Sequence, residues 1–256
     1  MTVINVALVQ TELHWEQAGL NRQLLGKQIQ TAQPGDIVVL PEMFTTGFSM
    51  RSDALAETIH GDTLKWMALQ ARSLDAVICG SLIIVDQSKF YNRFIWMPAD
   101  GQHQFYDKRH LFRMSGENDH YSAGTDQLII NYRGARICPL ICYDLRFPVF
   151  SRNKDLYDLA LYVANWPAAR RQHWLTLLKA RAIENQSYIV GVNRIGRDGN
   201  DVDYCGDSLV VDFQGNTLLD MDKTPGLQRI SLSLEKLATY RTHFPAWKDG
   251  DSFTLL

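Results

Sequence analysis

The sequence predicts an α/β fold, and three observations predict it. Short apolar, β-rich runs alternate with amphipathic stretches, and this alternation occurs once in each half of the chain. No Pro/Ser-rich linker, low-complexity tract or run of like charges separates the halves. The 256 residues are 46% hydrophobic and 11% aromatic, the balance of a folded globular chain and not of a disordered one. One domain is therefore expected over residues 1–256, with its core at about 3–232 and a tail at 233–256.

Taken in order, residues 3–9 are a β-rich apolar run broken only by Asn5. The polar stretch 15–30 carries Leu20, Leu24, Leu25 and Ile29 on one helical face. Pro34 and Gly35 end that helix, and 36–40 form a short strand that stops at Pro41. Asp62 suits the N-cap of the next helix, whose Leu64, Met67, Ala68 and Ala71 fall at i, i+3, i+4 and i+7; a buried strand follows at 76–84. Residues 90–97 and 103–106 flank Pro98-Ala99-Asp100-Gly101, where Asp-Gly supplies the positive backbone angles of a hairpin turn. Segment 109–125 lacks a clean period and contains Gly116, Ser122 and Gly124, which reads as a structured loop or short helix. Strands at 128–132 and 135–141 surround Arg133-Gly134. The opening rhythm then returns as strand 159–164, a helix from about 172 to 186 with Trp174, Leu177, Leu178 and Ala182 on one face, and strand 188–193. Strands at 207–213, 217–219 and 227–232 complete the set, leaving a tail at 246–256 to dock elsewhere.

Composition excludes several classes of function. Lysine and arginine number 26 against 28 aspartates and glutamates, a formal charge of −2, and no basic stripe is present to neutralise phosphates. Nucleic acid is thus not expected as a partner. No window approaches the roughly 18 uninterrupted apolar residues of a membrane span, and the first ten residues lack the basic start and apolar core of a secretion signal. A cytoplasmic location is expected. The four cysteines, Cys79, Cys138, Cys142 and Cys205, are too few and too irregular for a disulfide framework, and none forms a C-x-x-C pair. The seven histidines show neither H-E-x-x-H nor a close pair, so no metal is expected.

Three ionisable residues directly follow apolar, strand-like segments, where a sheet presents reactive groups. Glu42 follows Val38-Val39-Leu40-Pro41, and a carboxylate there is partly desolvated and suited to proton transfer. Lys108 sits in Tyr106-Asp107-Lys108-Arg109-His110, a charged cluster that could equally be a solvated surface. Cys142 stands where the strand 135–141 breaks into a turn, in contrast to Cys138, which has apolar neighbours inside the strand and reads as core. A thiol with an ordinary pKa of about 8.5 is only a few per cent thiolate at neutral pH, so a nucleophilic cysteine needs a base or a nearby positive charge. Glutamate can be the base and lysine the charge. Once sulfur adds to a carbonyl carbon, a lysine ammonium and the Tyr143 backbone N–H can hold the oxyanion, each contributing of order ~3 kcal/mol. Selective alkylation of Cys142 over Cys79, Cys138 and Cys205 at neutral pH would argue for a catalytic thiol, since only a low-pKa exposed thiolate reacts quickly.

Three segments carry a family resemblance: Pro41-Glu42-Met43-Phe44, Tyr106-Asp107-Lys108-Arg109-His110-Leu111-Phe112, and Ile141-Cys142-Tyr143-Asp144-Leu145-Arg146-Phe147-Pro148. In order, flanks and spacing they resemble the signature segments of the nitrilase (carbon-nitrogen hydrolase) superfamily. The resemblance covers about residues 3–232. It implies a Glu-Lys-Cys triad at Glu42, Lys108 and Cys142, and a second active-site glutamate at Glu117 within Gly116-Glu117-Asn118-Asp119-His120-Tyr121-Ser122-Ala123-Gly124. It further implies a four-layer α-β-β-α sandwich that pairs through its helical layers as an eight-layer homodimer, and neither metal nor organic cofactor; the tail 233–256 could pack at that dimer interface. Ala164-Asn165-Trp166-Pro167-Ala168 and Ala180-Arg181-Ala182-Ile183-Glu184-Asn185-Gln186 resemble the ω-amidase branch. Enzymes of that branch hydrolyse the terminal amide of 2-oxoglutaramate and 2-oxosuccinamate, releasing ammonia and a 2-oxo acid.

A substrate of this kind carries an α-carboxylate, which Arg146, Arg170 or Arg171 could grip in a bidentate pair. Arg146 could instead serve in a structural ion pair. Phe48, Tyr143 and Trp166 could wall the pocket, or simply pack. Rival readings are a related hydrolase of other linear amides, nitriles or N-carbamoyl compounds on the same triad, and a non-catalytic family member that binds a metabolite.

Overall fold

The structure, a computed structural model, describes residues 2–154 and 157–254. Residues 255 and 256 of the expected tail lie outside them. The strands are β1 (Val3–Gln10), β2 (Ile37–Val39), β3 (Val77–Asp86), β4 (Lys89–Met97), β5 (Gln104–Asp107), β6 (Ile130–Tyr132), β7 (Ala135–Ile141), β8 (Leu159–Ala164), β9 (Tyr188–Asn193), β10 (Ile195–Arg197), β11 (Asp203–Cys205), β12 (Leu209–Val211), β13 (Thr217–Asp220) and β14 (Gly226–Ser233). The helices are α1 (Ala18–Gln28), α2 (Ser52–Leu55), α3 (Asp62–Leu74), α4 (Glu117–His120), α5 (Arg171–Asn185) and α6 (Leu234–His243).

One six-stranded sheet runs β14-β1-β2-β3-β4-β5 and the other β13-β12-β9-β8-β7-β6, with β10 and β11 as a separate ribbon. From β14 to β5, successive neighbours pair antiparallel, parallel, parallel, antiparallel and antiparallel. From β6 to β13 the pattern of pairing is the same. The halves whose rhythm repeats in the sequence therefore share one plan, with β2 equivalent to β8 and β1 to β7.

Apolar residues on both faces of the central strands account for the layering. Ile4, Val6, Leu8, Val39 and Phe94 of the first sheet join Ile137, Leu161, Val163 and Val190 of the second in one buried cluster, which continues into Trp174, Leu178 and Ala182 of α5. On the other side, Ala7, Val9, Val38 and Ile78 pack against Leu25 and Ile29 of the α1 segment and Leu64, Met67 and Ala71 of α3. The order of layers is thus α1 with α3, sheet, sheet, α5. Among the described residues no helix is long and apolar enough to cross a membrane.

Several local expectations change. Leu20 is 45% exposed, and the inward face of α1 is Asn21 and Leu25, continued by Ile29. A buried asparagine is tolerated because it is satisfied: its side chain bonds the His14 N–H at 2.8 Å, the His14 carbonyl at 2.7 Å and the Thr45 carbonyl at 2.7 Å. Gly61, not Asp62, caps α3; Asp62 is the first helical residue. The residues after β14 do not trail. Ser233 Oγ caps α6 by accepting from Lys236 N at 3.2 Å, and Arg241 bonds Asp158 at 2.9 Å and the Tyr157 carbonyl at 2.6 Å.

Candidate active site

Glu42 stands on a loop that leaves β2 and folds onto β3. Met43 N donates to Ser81 Oγ at 2.9 Å, and Phe44 N to the Ser81 carbonyl at 3.2 Å. Gly80 permits this approach, since a Cβ there would lie 2.9 Å from both Leu40 and Phe44 side-chain atoms. Lys108 follows β5, where Gly124 N donates to its carbonyl at 2.9 Å; a Cβ on Gly124 would come within 2.2 Å of the Asp107 carbonyl oxygen. Cys142 opens a turn of 3₁₀ helix, Cys142–Arg146, directly after β7, with φ of 44°. This positive angle on a non-glycine residue marks a sharp elbow.

Asp144 holds that elbow to the lysine segment. Its buried carboxylate accepts from Ile141 N at 2.9 Å, Tyr106 OH at 2.7 Å and His110 N at 3.1 Å, and lies 2.8 Å from His110 Nδ1. Two of these partners flank Lys108 in sequence, so one side chain ties the cysteine turn to the lysine turn. From α5, Arg181 Nη2 bonds the Leu145 carbonyl at 2.6 Å and braces the turn from behind.

The four residues singled out as catalytic meet. Lys108 Nζ lies 2.9 Å from Glu42 Oε1 and 3.0 Å from each Glu117 carboxylate oxygen, and none of the three side chains is more than 1% exposed. Asn92 Nδ2 bridges the carboxylates, 2.8 Å from Glu42 Oε1 and 3.3 Å from Glu117 Oε1. Asn165 N donates to Glu42 Oε2 at 2.8 Å, and Phe112 N to Glu117 Oε2 at 2.6 Å. Burial alone would lower the Lys108 pKa, but Glu117 and Glu42 outweigh it and hold the ammonium firmly charged. Desolvation, with the Glu42 charge adding to it, raises the Glu117 pKa despite Lys108 and the Phe112 N–H.

The surroundings of Cys142 do not favour a thiolate at rest. Desolvation first, then the Glu42 carboxylate, push the thiol well above its ordinary value, and Lys108 offsets only part of this. One lysine shared between two carboxylates leaves no surplus positive charge for a thiolate. Cys142 therefore rests as a neutral thiol that requires a base. Burial likewise raises Cys79, and Cys205 is pushed up to about 11 by partial burial and Asp207. No disulfide joins the four cysteines.

Cys142 and Lys108 open onto a cavity of about 800 Å³, whose walls include Phe48, Tyr143, Arg146, Trp166 and Arg170. Of the residues expected at the substrate pocket, all but Arg171 are present there, although Trp166 is 3% exposed and mainly packs on Trp174. Arg146 lies over Trp166 at 5.0 Å and donates to His173 Nδ1 at 2.9 Å; Arg170 lies over Phe112 at 5.3 Å. Among the described residues neither is in a salt bridge with a carboxylate. Arg146 is thus not the structural ion-pair partner considered from sequence. Arg171, the third candidate, instead forks onto Asp207 at 2.6 and 2.7 Å and does not line the cavity. No group of three or more His, Cys, Asp or Glu side chains suited to a metal ion occurs among the described residues.

Residues 5–242 match the family model for carbon-nitrogen hydrolases. The chain is 46% identical over 256 residues to the omega-amidase YafV of Escherichia coli K12, covering all of both proteins. The chain belongs to the carbon-nitrogen hydrolase family. Its sequence lies with the ω-amidase branch, and it is 32% identical to the 2-oxoglutaramate amidase of Bacillus subtilis over 219 residues, 84% of each chain. Among solved carbon-nitrogen hydrolase structures, XC1258 from Xanthomonas campestris superposes with a TM-score of 0.97 at 43% identity over the whole of both chains; that protein carries an arsenic adduct in its active site. The yeast protein Nit3, at 23% identity, shares the fold with a TM-score of 0.85, covering 95% of both chains.

Sequence reasoning missed Asn92, Asp144 and the roles of Asn165 and Asn193. Asn92 left a signal: a short polar side chain inside a strand, which the structure shows fully buried. Asn193, at the end of β9, gave none. Its Oδ1 accepts from Trp166 N at 2.8 Å and its Nδ2 donates to the Trp166 carbonyl at 3.1 Å, fixing the loop that carries Asn165.

Proposed function

We propose that this chain is a thiol-dependent ω-amidase that hydrolyses the terminal amide of 2-oxoglutaramate-type substrates through a cysteine thioester. One observation carries the reading: a dry Lys108 shared by Glu42 and Glu117 beside a cavity-facing thiol. Glu42 takes the Cys142 proton as sulfur attacks the amide carbon. The oxyanion forms against the Lys108 ammonium and the Tyr143 backbone N–H, in a site too dry for water to screen them. Glu42 returns the proton to nitrogen, the C–N bond breaks and ammonia leaves. Water, deprotonated by Glu42, then attacks the thioester, and the thiol is regenerated. Glu117 neutralises Lys108 and orients it toward the developing oxyanion.

The substrate's α-carboxylate is held by Arg170 and Arg146, the two cavity cations without a carboxylate partner among the described residues. Relatives named omega-amidase and 2-oxoglutaramate amidase support this choice of substrate. A single catalytic domain over residues 1–256, acting in the cytoplasm as a homodimer, completes the reading. Exposed Ile183, Leu218, Phe244 and Trp247 support pairing through the α5 and tail face. Ammonia release from 2-oxoglutaramate, glutamine and asparagine tests the substrate. The 2-oxo amide should exceed both amino acids at least tenfold in kcat/KM, and a preference for glutamine or for a neutral nitrile would overturn it.

A further inference from the structure

Glu42 and Cys142 are joined through Asn165, which directly follows β8. Besides the backbone bond to Glu42 Oε2, Asn165 Nδ2 donates to the Glu42 main-chain carbonyl at 2.7 Å, and the Asn165 carbonyl accepts from Cys142 Sγ at 4.0 Å. The Nδ2 bond fixes which way the amide points, because the reversed side chain would set two oxygens against each other. Asn165 Oδ1 is then a buried acceptor that no donor among the described residues reaches. The residue is 4% exposed and lines the cavity. An orphaned acceptor is costly, and this one is shielded from solvent on a residue that lines the cavity, so a ligand donor brought within reach of it would relieve that cost. Asn92 Oδ1 is also orphaned, but Asn92 sits behind the carboxylates and does not line the cavity.

We propose that Asn165 Oδ1 accepts a hydrogen bond from the scissile NH₂ group, selecting a primary amide and aiming its nitrogen at Glu42. The proposal rests on the amidase reading above. When sulfur bonds the carbonyl carbon, nitrogen loses its conjugation and gains a lone pair. The proton that Glu42 took from the thiol is delivered along that lone pair. Nitrogen then departs as ammonia with the C–N electron pair, and the oxyanion collapses to the thioester. Asn165 is tied to Glu42 at both its backbone N–H and its Nδ2, so an N–H anchored on Oδ1 turns the lone pair toward the carboxyl group. A nitrile or an ester has no such hydrogen and gains nothing from this acceptor.

The test compares kcat/KM of Asn165→Ala for 2-oxoglutaramate and for the p-nitrophenyl ester of the same acid. This ester is activated, and its leaving group needs neither an N–H nor a proton. Loss of the Nδ2 bond to the Glu42 carbonyl weakens the base for both substrates and largely cancels in their ratio; loss of Oδ1 touches the amide alone. The amide should fall at least tenfold more than the ester. Asn165→Leu, nearly isosteric with asparagine, supplies the same ratio if the alanine variant does not fold. An equal fall for both substrates overturns the role of Asn165 and leaves the amidase reading intact. A wild-type enzyme inert toward the amide overturns the amidase reading itself.

Discussion

The two halves of this chain follow the same sequence of strand pairings yet contribute opposite kinds of groups. Glu42, Asn92, Lys108 and Glu117 all come from the first sheet and the loops that leave it, and all are essentially dry. Cys142, Tyr143, Arg146 and Arg170 come from the second half and are half-buried where they meet the cavity. The contrast has a chemical reason. Charges that must act strongly on one another gain from exclusion of water, whereas a nucleophile and a carboxylate grip have to meet a ligand arriving from solvent. The halves touch at equivalent points: Glu42 follows β2, Asn165 follows β8, and the two residues are hydrogen bonded to each other.

The largest effect should come from breaking the dry half. Lys108→Met leaves two buried carboxylates without their cation and removes an oxyanion donor. Turnover should fall by about 10³-fold, and denaturant melts should show a loss of about 3–5 kcal/mol at neutral pH. The sign with pH is fixed by Glu117, whose folded-state pKa is already raised. A carboxyl with a raised pKa destabilises the fold above that pKa, and the penalty fades as pH falls toward its unfolded value. The melt deficit of the variant should therefore shrink between pH 8 and pH 5; a constant deficit would place the damage elsewhere.

A smaller effect is expected in the wet half. Arg170→Met should lower kcat/KM for 2-oxoglutaramate by about 10- to 100-fold, the worth of hydrogen bonds to a charged group, while an uncharged amide of similar length is unaffected. A parallel loss on both would mean that Arg170 shapes the cavity without gripping the carboxylate. The least drastic change concerns the thiol. Iodoacetamide should alkylate Cys142 slowly at pH 7, and the rate should climb about tenfold per pH unit without levelling below pH 9, because the raised pKa delays the thiolate. A plateau below pH 8 would contradict the net negative environment assigned to it.

Much of this division was legible in the sequence. The strand breaks before Glu42 and Cys142 and the hairpin before Lys108 are written in apolar runs and turn residues, which depend on neighbours a few positions away. The thiol's protonation state was not legible, since it depends on how many carboxylates share one lysine, a count set by the packing of three distant segments. The β10 and β11 ribbon leaves no legible pattern because its two strands have three residues each, with Gly196 in the first at φ of 86°. Helix α6 reads as tail in the sequence because Leu237 is its one fully buried side chain. Asn165 stands within the motif Ala164-Asn165-Trp166-Pro167-Ala168, but its partner is 123 residues away, and nothing local announces that bond.

The central claim is that the dry half activates a neutral Cys142 for covalent attack. Wild-type enzyme quenched in acid during turnover of 2-oxoglutaramate, then digested and weighed peptide by peptide, tests it most directly. The Cys142 peptide should carry the acyl group of the substrate less ammonia, and Cys142→Ala should show neither adduct nor ammonia release. Wild-type rates of ammonia release from Cys142→Ala, or an adduct on another residue, would contradict the account.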